Sequence, residues 1–173
     1  MMIVSFDLGV PFCQIVVYDP GNDVIIHDWT EQQGRQGFSW RPSSVAFGMI
    51  GQAPELSTEI WLANEINLRA DTVRAILVPF DVGESRTVRI SDVADLGKEV
   101  PIVQGKYELV FETGFINEEE YKNYNSTSIV IQVVRSRLLN VNRSHLWIKY
   151  NLVLISQVIG WDFSPVNHET LNL

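Results

Sequence analysis

Cysteine is almost absent from this chain, and the single residue Cys13 excludes an internal disulfide framework. It lies next to the β-branched run Ile15-Val16-Val17, where a small buried hydrophobe is expected and a reactive thiolate is not. Histidine is scarce too. His27, His145 and His168 are far apart, and none has the spacing of a metal-binding pair. There is no GxSxG elbow, no phosphate-cradling GxxxxGK[ST] loop, and no GxGxxG following a strand. Asp19, Asn22 and Asp23 carry oxygens that could ligate calcium, but Pro20-Gly21 between them spell a turn and the closing glutamate is missing. The expectation is a protein that is not an enzyme and has no cofactor or metal. Long hydrophobic runs are also wanting. The most apolar late stretch, Leu146 to Ile159, is broken by Lys149, Asn151, Ser156 and Gln157 and is too short to span a bilayer. With no basic, apolar-cored leader at Met1, a soluble cytoplasmic protein without membrane insertion is expected.

Positive charge is in deficit as well. The 173 residues contain 21 Asp and Glu against 13 Lys and Arg, a formal net charge of -8. The imbalance is uneven. Up to Val134 there are 19 acidic and 9 basic residues, whereas from Arg135 onward there are 2 acidic and 4 basic. An acidic body of this kind is repelled by nucleic acid but attracts proteins that bind it. Mild acidity also serves solubility alone. The length suits one domain that buries roughly two-thirds of its unfolded surface.

Strand-like runs follow one another at spacings of roughly 10–20 residues, separated by Gly, Pro, Asn and Asp. Ile15 to Ile26, interrupted by Asp19-Pro20-Gly21-Asn22-Asp23, reads as a hairpin. Glu31 to Gln36 reads as a polar connection. In the segment Gln36 to Phe47, Phe38, Trp40 and Phe47 have the apolar area of core anchors, and Gly37 and Pro42 punctuate it. Arg74 to Val82 is the most apolar central run, and Pro79 within it calls for an edge, a bulge or a strand end. Thr87 to Val93 alternates with period two until the pattern breaks at Asp92. Gln104-Gly105-Lys106 turns into Tyr107 to Thr113, with Tyr107, Leu109 and Phe111 on one face and Glu108 and Glu112 on the other, Val110 excepted. After Asn117 as an N-cap, a short helical turn is expected over Glu118-Glu119-Glu120-Tyr121-Lys122, and Ser128 to Val134 closes the series. No amphipathic helix interrupts these runs. The fold class is therefore all-β, an antiparallel β-sandwich or distorted barrel over residues 1–134. Residues 135–173 form a C-terminal extension of unassigned structure, expected to pack on the same domain.

Binding is the chemistry the residues support. Glu108, Glu112, Glu118, Glu119 and Glu120 form the densest acidic region, with Asp92, Asp95 and Glu99 upstream. Such a face would steer an arginine-rich partner, although a charge run equally suits a solvated loop. Arg41, between Trp40 and Pro42, is the one residue of its segment that could face a partner. A second class of reading is a small-ligand or carbohydrate-binding sandwich in which Trp29, Trp40 and Trp61 serve as stacking platforms.

The ordered set Asp28-Trp29-Thr30, Gln36 to Phe47, Ala75 to Val82 and Gly105-Lys106-Tyr107-Glu108-Leu109 resembles the competence protein J family over about Val4 to Val134. That resemblance implies a small acidic cytoplasmic protein without catalysis of its own, which binds and restrains a DNA-entry nuclease. A nuclease or other basic protein is thus the expected partner, with no direct nucleic-acid binding. The contact surface is expected at Glu108, Glu112, Glu118, Glu119, Glu120 and Arg41.

Overall fold

In the computed structural model, which describes residues 1–22, 26–50, 55–64, 66–70, 72–115, 132–140 and 154–156, two β-sheets face each other. The strands are β1 (Met2–Gly9), β2 (Gln14–Tyr18), β3 (Phe38–Arg41), β4 (Ser44–Gly48), β5 (Glu55–Ala63), β6 (Thr72–Val82), β7 (Thr87–Ser91), β8 (Gly97–Pro101), β9 (Gly105–Phe115), β10 (Gln132–Asn140) and β11 (Leu154–Ser156), with one helix, α1 (Glu31–Gln36). One sheet runs β1-β5-β10-β9-β6-β11 and the other β3-β4-β2-β7-β8. All pairs are antiparallel except β5 with β10. Neither sheet closes on itself, so the sandwich of the two expected architectures is the one present.

Period-two alternation builds the core. Leu56, Thr58 and Ile60 of β5, Ile76, Val78 and Phe80 of β6, and Leu109 and Phe111 of β9 turn inward from the larger sheet. Ile15, Val17, Phe38, Val45, Phe47, Val88 and Ile90 meet them from the smaller one. At the centre the rings of Phe47 and Phe111 stack across the two sheets, centroids 3.9 Å apart and 4° from parallel. The anchors expected in the Gln36 to Phe47 segment are anchors in fact. Phe38 and Phe47 are buried, and half-buried Trp40 packs on the same core and donates its Nε1–H to Pro79 O at 2.6 Å.

Pro79 sits in the middle of β6, yet its strand behaves as an edge there. Among the described residues β11 pairs only with Arg74, Ala75 and Ile76, and no described strand pairs with β6 on that side at Pro79. A residue's N and O point to the same side of a strand. The carbonyl that receives Trp40 therefore marks the open side, where no ladder donor is required.

Three expectations require correction. The Ile15 to Ile26 hairpin does not form: β2 pairs with β4 and β7, and Ile26 is exposed and outside any strand, while Val24 and Ile25 lie outside the described residues. The chain instead crosses the outer face of the smaller sheet, where Trp29 packs on Val16, Tyr18 and Ala46. The polar connection Glu31 to Gln36 is α1, closed at its start by a reciprocal capping box between Thr30 and Gln33 and at its end by Gly37 at φ 82°. Finally, a boundary after residue 134 cuts through β10. That strand lies between β5 and β9, and its Leu138 belongs to the core, so residues 135–140 are part of the larger sheet. The helical turn expected over Glu118 to Lys122 lies outside the described residues.

Candidate protein-binding surface

β9 is a central strand, flanked by β6 and β10, and this decides what its carboxylates can reach. Glu108 stays half-buried on the outer face of the larger sheet, in register with Pro79 on one side and Leu139 on the other. Glu112 points the same way but is 0% exposed. Its carboxylate accepts a hydrogen bond from Arg69 N at 3.0 Å and another from the Thr72 hydroxyl. Glu112 therefore leaves the expected contact set. Both bonds fall on Oε1 and fasten the connection between β5 and β6 onto the sheet, and a side chain with no exposed surface presents nothing to a partner. Glu118, Glu119 and Glu120 lie outside the described residues. Arg41 ends β3, half-exposed, with no ion-pair partner among the described residues. Since Trp40 turns inward, Arg41 faces the outer side of the smaller sheet, whereas Glu108 faces the outer side of the larger one. The adjoining Pro42 accepts from Asp81 N at 2.7 Å, which brings both residues to the same end of the sandwich but on opposite faces.

Beside Arg41 the buried His27 bridges two hydroxyls, Nδ1 to Ser39 Oγ at 3.0 Å and Nε2 to Ser44 Oγ at 2.7 Å. Burial first, and then the positive charge of Arg41, pull the imidazole down to about 4, so the ring is neutral. It pins the crossing segment to β3 and β4. At the same end the fully buried Asp19 ties three loops. Its Oδ1 accepts from Gly21 N at 2.8 Å, its Oδ2 from Gly83 N at 2.5 Å, and its own backbone N–H donates to Ser43 O at 2.9 Å.

The best-organised group of described carboxylates is at the opposite end, on the β7–β8 hairpin. Asp92 Oδ1 accepts from Ala94 N at 3.0 Å and Leu96 N at 2.8 Å, folding the tip into a side-chain-capped turn. Asp95 takes φ 64° and receives Arg89 Nε on Oδ1 at 2.7 Å, Arg89 Nη2 on its backbone O at 2.8 Å, and the Tyr18 hydroxyl. The same guanidinium reaches Glu99 Oε1 at 3.2 Å across the hairpin. Tyr18 and Arg89 hold the Asp95 carboxyl below the usual carboxylate range. Burial, and then Asp95, push the Tyr18 phenol up to about 12. The sequence reading registered Asp92, Asp95 and Glu99 only as flanking charge. The visible signal was Asp92 opening a six-residue turn closed by Gly97; the Tyr18 partnership, 77 positions away, had none.

The three tryptophans do not make one platform. Trp29 covers the outer face of the smaller sheet, Trp40 fills the gap between sheets, and Trp61 lies on β5 with Nε1 on Glu59 Oε2 at 3.1 Å. No group of three or more His, Cys, Asp or Glu among the described residues converges as a metal site.

No curated protein matches the chain. Among solved structures it is similar to the crystal structure of ComJ from Bacillus subtilis, inhibitor of the DNA-degrading activity of NucA, at 14% identity and a TM-score of 0.62. The match covers 80% of this chain and 98% of that one. A second similar structure, crocagin biosynthetic gene J, has 10% identity and a TM-score of 0.46 over 80% of this chain and 95% of its own. The family model of Competence protein J (ComJ) matches residues 7–134, well over half of the 173. On that match, the chain belongs to the competence protein J family.

Proposed function

We propose that this protein is a non-enzymatic cytoplasmic inhibitor of a DNA-degrading nuclease, acting by covering the groove through which the nuclease engages DNA. The family match over residues 7–134 carries the reading. Charge supports it independently: a groove built to attract a polyanion also attracts a protein of net charge -8 whose first 134 residues hold 19 acids against 9 bases. Of the residues expected to touch the partner, Glu108 and Arg41 keep partly open side chains, and Glu118, Glu119 and Glu120 complete the candidate set. The test is to titrate the protein into a DNA-cleavage assay with the NucA-like nuclease of its own cell, at two salt concentrations. Stoichiometric loss of cleavage, with association slowed at the higher salt, is the expected result. Unimpaired cleavage at saturating protein, with no complex on a sizing column, rejects the proposal.

A further inference from the structure

Arg74 is a cation with no described group to neutralise it. It lies near the start of β6, half-buried, and burial pulls the guanidinium down to about 10, so it keeps its charge at neutral pH. No carboxylate among the described residues pairs with it, and its neighbours in register, Thr113 and Ser156, are uncharged. Among its N–H groups, Nη2 donates to Gly48 O, while Nε is buried with no hydrogen-bond partner. A guanidinium does not escape burial by giving up its proton, so the unpaired charge is a standing cost to the fold.

The surroundings are shaped to that charge. Nη1 lies where Gly37 has no side chain, since a Cβ there would be 2.9 Å away, and Gly37 O in turn accepts from Gly48 N at 2.9 Å. Trp29 reaches the same junction from the outer face of the smaller sheet, its Cη2 being 3.9 Å from where a Cβ on Gly48 would lie. Its indole Nε1 is a second buried donor with no acceptor. Buried polar groups in folded chains are almost always paired, yet here two orphan donors sit on side chains that meet at one glycine. Both lack the same thing, an acceptor, and one of them is a cation.

We propose that Arg74 and Trp29 hold a small oxyanion, a carboxylate or a phosphate, at the junction of Gly37 and Gly48. The planar guanidinium presents paired donors to such a group, and the indole N–H donates without competing as an acceptor. The bound anion cancels the buried charge and fastens β6 to the end of β4 and to the Gly37 cap of α1, which meet there. This site is independent of the inhibitor reading above.

Thermal melts of the full chain in phosphate and in acetate, with ionic strength held constant by chloride, compare the wild type with Arg74→Met and Trp29→Phe. The wild type should gain about 5–10 °C, with saturation, once the anion exceeds its Kd about a hundredfold. The arm that saturates at the lower concentration identifies the oxyanion. Arg74→Met exchanges an unpaired buried charge for an apolar chain, so it should melt at or above the anion-free wild type and respond to neither anion. Trp29→Phe should keep the response, with the affinity lowered about tenfold. Equal shifts in wild type and variants, or a saturable gain retained by Arg74→Met, overturn the proposal. If Arg74→Met does not fold, titration calorimetry of the wild type decides: saturable heat with either anion supports the site, and its absence with both rejects it.

Discussion

Lowering the pH should loosen the crossing segment through one side chain. His27 is buried between Ser39 and Ser44, and its folded-state value is about 4, against 6.5 for a free imidazole. Because the folded value is the lower one, the unfolded chain takes up the proton first as pH falls. The stability conferred by the neutral ring is complete above about 6.5 and is lost progressively down to about 4, below which both states carry the charge. At about 1.4 kcal/mol per tenfold change in proton affinity, that interval is worth at most about 3 kcal/mol. In a chain of this size this corresponds to a drop of about 6–12 °C in Tm. The charges facing the ring act in opposite senses, Arg41 against protonation and Asp28 in favour of it, so Arg41→Gln should recover part of the loss. Urea denaturation of wild type and His27→Gln at pH 7.0, 5.5 and 4.5 isolates the effect, because other titrating groups cancel in the difference. The variant should be less stable at pH 7 and should approach the wild type as the pH falls. Parallel stability profiles, or a His27 ring that titrates near 6.5 by NMR, would refute the argument.

Two further substitutions probe the ends of the sandwich. Asp19→Ala strands the N–H groups of Gly21 and Gly83 and should cost about 3–5 kcal/mol, read as a lower urea midpoint with an unchanged m-value; Asp19→Asn, which keeps one acceptor, should cost less. Gly97→Ala pushes a Cβ into Ile90 O and should unpair β8 from β7, seen as fast amide exchange at Arg89 and Glu99. Wild-type protection at both amides would refute the clash.

Much of the fold was legible in local pattern. Alternation in Thr87 to Ser91 and in Tyr107 to Phe111 placed the inward faces, and Pro79 signalled an open strand side before its neighbours were known. Long-range pairing was not legible, as β2 shows: the turn after Tyr18 invited a hairpin, but β4 and β7 hold both edges of β2. α1 escaped a search for apolar periodicity because it buries no residue. Its stability is in its caps, and Thr30, Gln33 and Gly37 were the signal to look for. Glu112 was assigned to solvent by strand alternation, which assumes an open outer face. Val110, the exception in that pattern, was the warning, for it is buried on that same face. The acidic hairpin was visible as charge but not as structure, since its clamp comes from Tyr18 on a different strand.

The place of β10 also matters to the ribosome. β5 and β9 are both finished before β10 exists, and each keeps an inner edge waiting for it. At about 5–20 residues per second, the interval between the last residue of β9 and the last of β10 is about 1–5 s. Throughout it the nascent chain exposes two unsatisfied strand edges that could zip to each other or to a neighbouring polypeptide. Late insertion of a middle strand makes the tail end of translation the hazardous moment. A message truncated before codon 132 would yield a split sheet and a substrate for chaperones, not a shortened inhibitor.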